Sequence, residues 1–96
     1  MTEKERELVN CEGLHDADWH LVTWQRPRPS WDHDHCRICL RRIAEIEYGD
    51  PDAIQEAYEH VYPPQPGDEE KRNEWLCRDC FEKYKREFNW RAVNSR

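Results

Sequence analysis

The chain has 96 residues, 38% of them charged and 36% hydrophobic, with a net charge of -6 and a mean hydropathy of -1.25. This supplies one small domain over 1–96 and too little apolar material for a large pocketed enzyme, so a cross-link is expected to hold the domain together. No apolar run reaches the roughly 18 residues of a membrane span. The charged start MTEKEREL is not followed by a signal-peptide core, so the expected location is cytoplasmic. The aromatic content of 11% with five Trp argues against disorder.

In chain order, Thr2-x-x-Glu5 has capping-box spacing for a short N-terminal helix. Leu8 and Val9 are its only good core candidates, so within residues 1–15 the helix is expected to be short or frayed. Trp19–Trp24 reads as a strand, rich in aromatic and β-branched residues, and Pro27 and Pro29 end it. Residues 31–39 read as a turn-rich loop. Residues 40–48 fit helix or strand equally. Asp50-Pro51-Asp52 looks like a helix start, and Ile54, Ala57, Tyr58 and Val61 follow at i, i+3, i+4, i+7. The spacing predicts an acidic helix over 50–62, with His60 exposed beside its apolar face. Residues 63–73 are a Pro-rich mobile loop. Trp75-Leu76 is a short strand or turn. Phe81, Tyr84 and Phe88 predict a closing helix over 78–90.

The cysteines carry the chemistry. Four of the five form Cys36-x2-Cys39 and Cys77-x2-Cys80. In a chain expected to be cytoplasmic, paired cysteines bind metal more often than they form disulfides. A CxxC turn places two sulfurs on one edge of a tetrahedron, and two such turns complete it. Cys36, Cys39, Cys77 and Cys80 are therefore the expected ligands of one structural Zn2+. Iron knuckles of the rubredoxin kind usually carry Gly soon after the second cysteine, whereas Leu40 and Phe81 stand there in this chain. The first pair follows loop chemistry and the second opens a helix, where dipole and free N–H groups favour thiolate. A knuckle followed by a helix N-terminus is the ligand layout of a treble clef. The expected fold is α+β: a small treble-clef-like domain with a hairpin or strand pair, an acidic helix and a C-terminal helix.

Asp32-His33-Asp34-His35-Cys36-Arg37-Ile38-Cys39, together with Trp75-Leu76-Cys77-Arg78-Asp79-Cys80-Phe81 and the aromatic stretch to Trp90, resembles small uncharacterised bacterial four-cysteine zinc-binding proteins with the pattern HDHCxxC and WxCxxCF. The resemblance spans about residues 19–90. It implies a treble-clef-like metal site and little about activity. Residues 50–73 depart from it. The DHDH string also resembles the metal motif of HNH nucleases of the endonuclease VII kind, in which His is the general base. In those enzymes the motif lies between the two CxxC pairs and Asn follows the second. Here it precedes the first pair and Phe81 occupies the Asn position. The alternative is that His35 and Asp34 support the sulfur ligands from behind.

Other residues carry weaker signals. Cys11-x3-His15 with His20 has the spacing of a second metal site only if a helix continues through Gly13. Catalytic residues are not expected, because a tetrathiolate zinc has no open position. Residues 43–70 carry nine acidic side chains and no Lys or Arg, whereas the segments holding the CxxC pairs are basic. Arg37, Arg41, Arg42 and Arg78 would offset the negative metal centre. The leading expectation is a non-enzymatic module that binds a protein partner through its acidic helix and exposed aromatics, as an inhibitor or adaptor. A nucleic-acid binder using Arg26, Arg28, Arg41, Arg42, Lys83, Lys85, Arg86 and Arg91 is the second, disfavoured by net charge. The HNH-like nuclease is the third, and no membrane partner is expected.

Overall fold

A computed structural model describes residues 2–11, 13–45, 49–63, 66–67 and 72–93, with the backbone alone at 8, 10 and 11. The elements run α1 (Glu3–Cys11), β1 (Asp18–Thr23), β2 (Asp34–His35), β3 (Arg42–Ile43), β4 (Glu56–Val61), β5 (Asn73–Leu76), α2 (Arg78–Tyr84) and β6 (Arg91–Val93). The fold is α+β, as expected. Its main sheet is larger than a strand pair, with the order β5-β4-β1-β6, and β2 and β3 form a separate hairpin.

The Thr2 cap forms: the Glu5 N–H donates to Thr2 Oγ1 at 3.2 Å. Residues 3–11, read from sequence as a short or frayed helix, make a nine-residue helix. Gly13, at φ +75°, turns the chain where an L side chain would be strained. Val9 and Leu14 on either side of this turn are buried in the core. Leu8 and Cys11 lie outside the described side chains.

The predicted acidic helix over 50–62 is not formed. Asp50 begins a turn, accepting from the Asp52 N–H at 2.9 Å through its side chain and from the Ala53 N–H at 3.2 Å through its carbonyl. The chain then enters β4, which is antiparallel to both β1 and β5. Its neighbours pair with its two edges, and both its faces are packed as well, one in the cluster with α2 and the other in the cluster with Ile43, so its side chains do not alternate polar and apolar. Ala57 faces one side and Tyr58 the other, and both are buried. The helical spacing was produced by a strand buried on both faces. His60 is correspondingly packed rather than exposed: its Nδ1 lies 2.8 Å from the Asp18 carbonyl and its ring 5.5 Å from that of Trp19.

Strand alternation divides the interior into two clusters. On one face Trp19, Tyr58 and Leu76 meet α1, α2, Phe88 and Trp90. On the other Trp24, Ala57 and Trp75 meet Ile43. Tyr58 stacks on Phe81 at 3.9 Å between ring centroids, and Trp90 packs edge-on to Trp19 at 5.5 Å. Such pairs add about 0.5–1.5 kcal/mol beyond their buried area.

The C-terminal helix is shorter than predicted. It ends at Tyr84, and the chain turns through Asn89 at φ +53°. Asn tolerates this left-handed conformation better than most residues. Phe81, Tyr84 and Phe88 are buried as expected, but Phe88 reaches the core from the turn rather than from the helix. Beyond it, β6 pairs parallel with β1, with Trp19 opposite Ala92. Of the ambiguous stretch 40–48, Arg42–Ile43 forms β3, and 46–48 lie outside the described residues. In the loop 63–73, residues 64, 65 and 68–71 also lie outside them, and 66–67 form a turn.

Candidate metal centre

The first cysteine pair sits at the tip of the β2–β3 hairpin. Asp34 pairs with Ile43 and His35 with Arg42. The Cys36 N–H donates to the Arg41 carbonyl at 2.9 Å, and the Leu40 N–H returns to the Cys36 carbonyl at 3.0 Å. Closing so tight a knuckle requires a left-handed residue, and Leu40 supplies it at φ +64°. An L residue is strained there by about 1–2 kcal/mol. Leu40 is also 68% exposed.

The second pair lies at the start of α2. Cys77 is its N-cap, and the Cys80 N–H donates to Cys77 Sγ at 3.4 Å. The Arg37 N–H donates to the Trp75 carbonyl at 2.8 Å, which ties the knuckle to β5 just ahead of Cys77. Two local structures from distant parts of the chain are thereby brought face to face.

The four Sγ atoms of Cys36, Cys39, Cys77 and Cys80 all lie within 4.8 Å of one another. Cys39 and Cys77 are 3.7 Å apart, and all four thiols are free. Sulfurs held at about 2.3 Å around a tetrahedral zinc stand about 3.8 Å apart, so this donor set fits such an ion. Among the described residues it is the one group of Cys, His, Asp or Glu side chains so placed.

Cys36, Cys77 and Cys80 are buried and Cys39 is exposed. Desolvation pushes the Cys77 thiol up to about 11, and Cys80 higher still, with the neighbouring Cys36 charge adding to both. Burial also opposes ionisation of Cys39, but the Arg41 N–H and the other three thiols outweigh it and hold its pKa below the ordinary value. Without a cation, four sulfurs this close resist ionisation together. A divalent ion reverses that preference.

Asp34 and His35, read as supports of the sulfurs, are placed otherwise. Asp34 Oδ2 accepts from the indole N–H groups of Trp24 at 2.9 Å and Trp31 at 3.1 Å. His35 is exposed, its ring edge-on to His33 at 4.7 Å. His33 Nδ1 lies 2.6 Å from Asp32 Oδ1, a bond that holds the Asp32 carboxyl below its usual range. The proposed site of Cys11, His15 and His20 falls partly outside the described residues, because the Cys11 side chain is among those not described. His15 Nδ1 contacts Asp16 Oδ2 at 2.8 Å.

The arginines expected to offset the centre are each paired with a carboxylate: Arg37 with Glu74 at 3.6 Å, Arg41 with Asp79 at 3.8 Å, Arg42 with Asp50 at 3.1 Å and Arg78 with Glu56 at 2.9 Å. Their charge is shared with these carboxylates along the surface. Arg26 pairs with Glu45, Lys85 with Glu82 and Arg91 with Asp18 in the same way.

Sequence reasoning missed a cavity of about 360 Å3 on the sheet face opposite α2, walled by tryptophans. The five Trp were its one visible signal. Comparison with family models, curated proteins and solved structures found no match to this chain. Among the described residues, no helix is long and apolar enough to cross a membrane.

Proposed function

We propose that the chain is a zinc-stapled, treble-clef-like module that acts by binding a protein partner and performs no catalysis. The sulfur cluster carries this reading. Cys36, Cys39, Cys77 and Cys80 would hold one Zn2+, whose role is to join knuckle and helix; a tetrathiolate leaves no open position for substrate. The order of a hairpin knuckle followed by a helix N-terminus supports the treble-clef assignment.

The contact surface we favour is no longer an acidic helix, since that helix does not form. Leu40 takes its place. It is a large apolar side chain, largely exposed, on a strained backbone beside the metal. The knuckle accounts for the backbone strain; the exposure of so large an apolar side chain is what a partner would use. The nucleic-acid alternative loses support from the pairing of Arg26, Arg41, Arg42, Lys85 and Arg91 with carboxylates.

The test is oligonucleotide binding by the zinc-loaded chain, followed by fluorescence anisotropy across a salt series. The protein-partner reading expects no saturable binding even at low salt. Saturable binding that weakens steeply with salt would establish the nucleic-acid reading instead. Divalent-metal-dependent cleavage lost in His33→Ala would establish the nuclease.

A further inference from the structure

The sheet face away from the metal holds the second feature of this molecule. Strand register brings Trp24 from the end of β1, Glu59 from β4 and Trp75 from β5 to this one face, where Glu59 and Trp75 are direct cross-strand partners. Trp31, from the loop before the hairpin, and Asp34, the first residue of β2, close the side, and Arg28 is also in the lining. The volume of about 360 Å3 falls within the range of small-molecule sites, roughly 300–1,000 Å3.

We propose that this cavity is a recognition site for an organic cation, of the quaternary ammonium or alkylated lysine class. Three observations converge on that chemistry. The walls are aromatic, and an indole face attracts a cation through its quadrupole. Trp75 and Trp24 line the cavity with little exposed surface, 7% and 1%, and Trp31, 38% exposed, offers the open ring. The Trp24 and Trp31 N–H groups both donate to Asp34, which pushes electron density into their rings and strengthens those faces.

Second, the charge has the right sign. Glu59, 3% exposed, is the one buried charged side chain among the described residues, and it lines the cavity while accepting from Asn73 Nδ2 at 2.7 Å. A carboxylate this buried acts on a nearby cation through a lower dielectric than water, where the attraction is stronger. Asp34 adds a second carboxylate, against the single positive charge of Arg28.

Third, the protein already seats a cation there. The Arg28 guanidinium lies 5.6 Å from the Trp31 ring centroid. Trp31 is 38% exposed, so its ring is the accessible wall. An entering cation competes with Arg28 for this ring. None of the four cysteines lines the cavity, although Asp34 and Trp75 stand two residues before Cys36 and Cys77, and the inference does not depend on the partner reading above.

The experiment uses the full zinc-loaded chain and follows the five indole 1H–15N resonances. The probes are choline, its uncharged analogue 3,3-dimethylbutanol, and a short peptide bearing trimethyllysine. Choline is expected to shift the Trp24, Trp31 and Trp75 resonances saturably, with those of Trp19 and Trp90 unmoved, and to bind at least about tenfold tighter than the neutral analogue. Trp31→Ala, at an exposed ring, and Glu59→Gln, which keeps the volume, should each weaken binding by about tenfold. Arg28→Ala should tighten it. Tighter binding of the peptide than of choline assigns the site to a side chain of a partner; equal or weaker binding assigns it to a free small cation. Equal binding of choline and its neutral analogue, an absence of saturable shifts, or loss of affinity in Arg28→Ala would overturn the proposal.

Discussion

The sulfurs of Cys39 and Cys77 lie 3.7 Å apart, although 38 positions separate them along the chain. Closing a loop of that length costs entropy, and no disulfide offsets it here, since both thiols are free. The chain pays for the closure with backbone ties on either side, from Arg37 to Trp75 and from Cys36 to Arg41, and in our account with a metal ion. Structural zinc contributes about 10–16 kcal/mol of apparent binding free energy at neutral pH, comparable with the whole stability of a typical domain. Cys36→Ser or Cys77→Ser should therefore lose the metal and most tertiary structure. Near-UV circular dichroism, dominated by the five Trp, checks this, and a native-like spectrum in either variant would contradict it.

Metal affinity should fall as the pH falls. Burial pushes the Cys77 thiol up to about 11 and the Cys80 thiol higher still. At neutral pH both are protonated without the metal, by burial where the site is folded and by the ordinary thiol pKa of about 8.5 where it is not, and an incoming ion must displace both protons. The sign follows: each unit of acidification adds protons that compete with the metal. Two such groups give a loss of at least roughly a hundredfold in affinity per pH unit. Competition with a chromophoric chelator between pH 6 and 8, corrected for the chelator's own titration, measures the slope. A flat profile would mean that these thiols are not the ligands.

Phe81 joins α2 to the sheet through its stack on Tyr58. Phe81→Ala should cost about 3–5 kcal/mol, enough to unfold a small domain or nearly so. A cooperative melt close to that of the parent would contradict the packing described.

Asp34 satisfies two indole N–H groups at once, one of them on the buried Trp24. Asp34→Ala leaves that donor unpaired, at a cost of about 1–3 kcal/mol. Zinc content should be unaffected, because the Asp34 carboxylate faces the indoles. Loss of metal with full stability would restore the expectation that Asp34 supports the ligands.

Leu40→Gly relieves a left-handed backbone at the expense of chain entropy. The two effects leave a net gain of about 0.5–1 kcal/mol, read as a small rise in the chemical denaturation midpoint. A marked loss of stability would show that Leu40 serves folding rather than contact.

The parts legible in the sequence are those set by local chemistry. The CxxC pairs, the Thr2 cap, the aromatic β1 strand and the start of α2 at Cys77 each follow from a few adjacent residues. The rest depended on neighbours. Residues 50–62 carried both a helix start and a helical apolar spacing, yet Asp50 capped a turn and β4 took its apolar pattern from burial on both faces. β6 was hidden because a three-residue strand pairing parallel to a distant one leaves almost no pattern. The cavity was hidden for the same reason, since its walls come from four separate segments.

The most direct measurement is the native mass of the purified, fully reduced chain. The account predicts a mass raised by one zinc ion per chain, and a metal-free mass when Cys36, Cys39, Cys77 and Cys80 are all replaced by Ser. A metal-free parent chain, a bound iron in place of zinc, or zinc retained by the fourfold variant would contradict it.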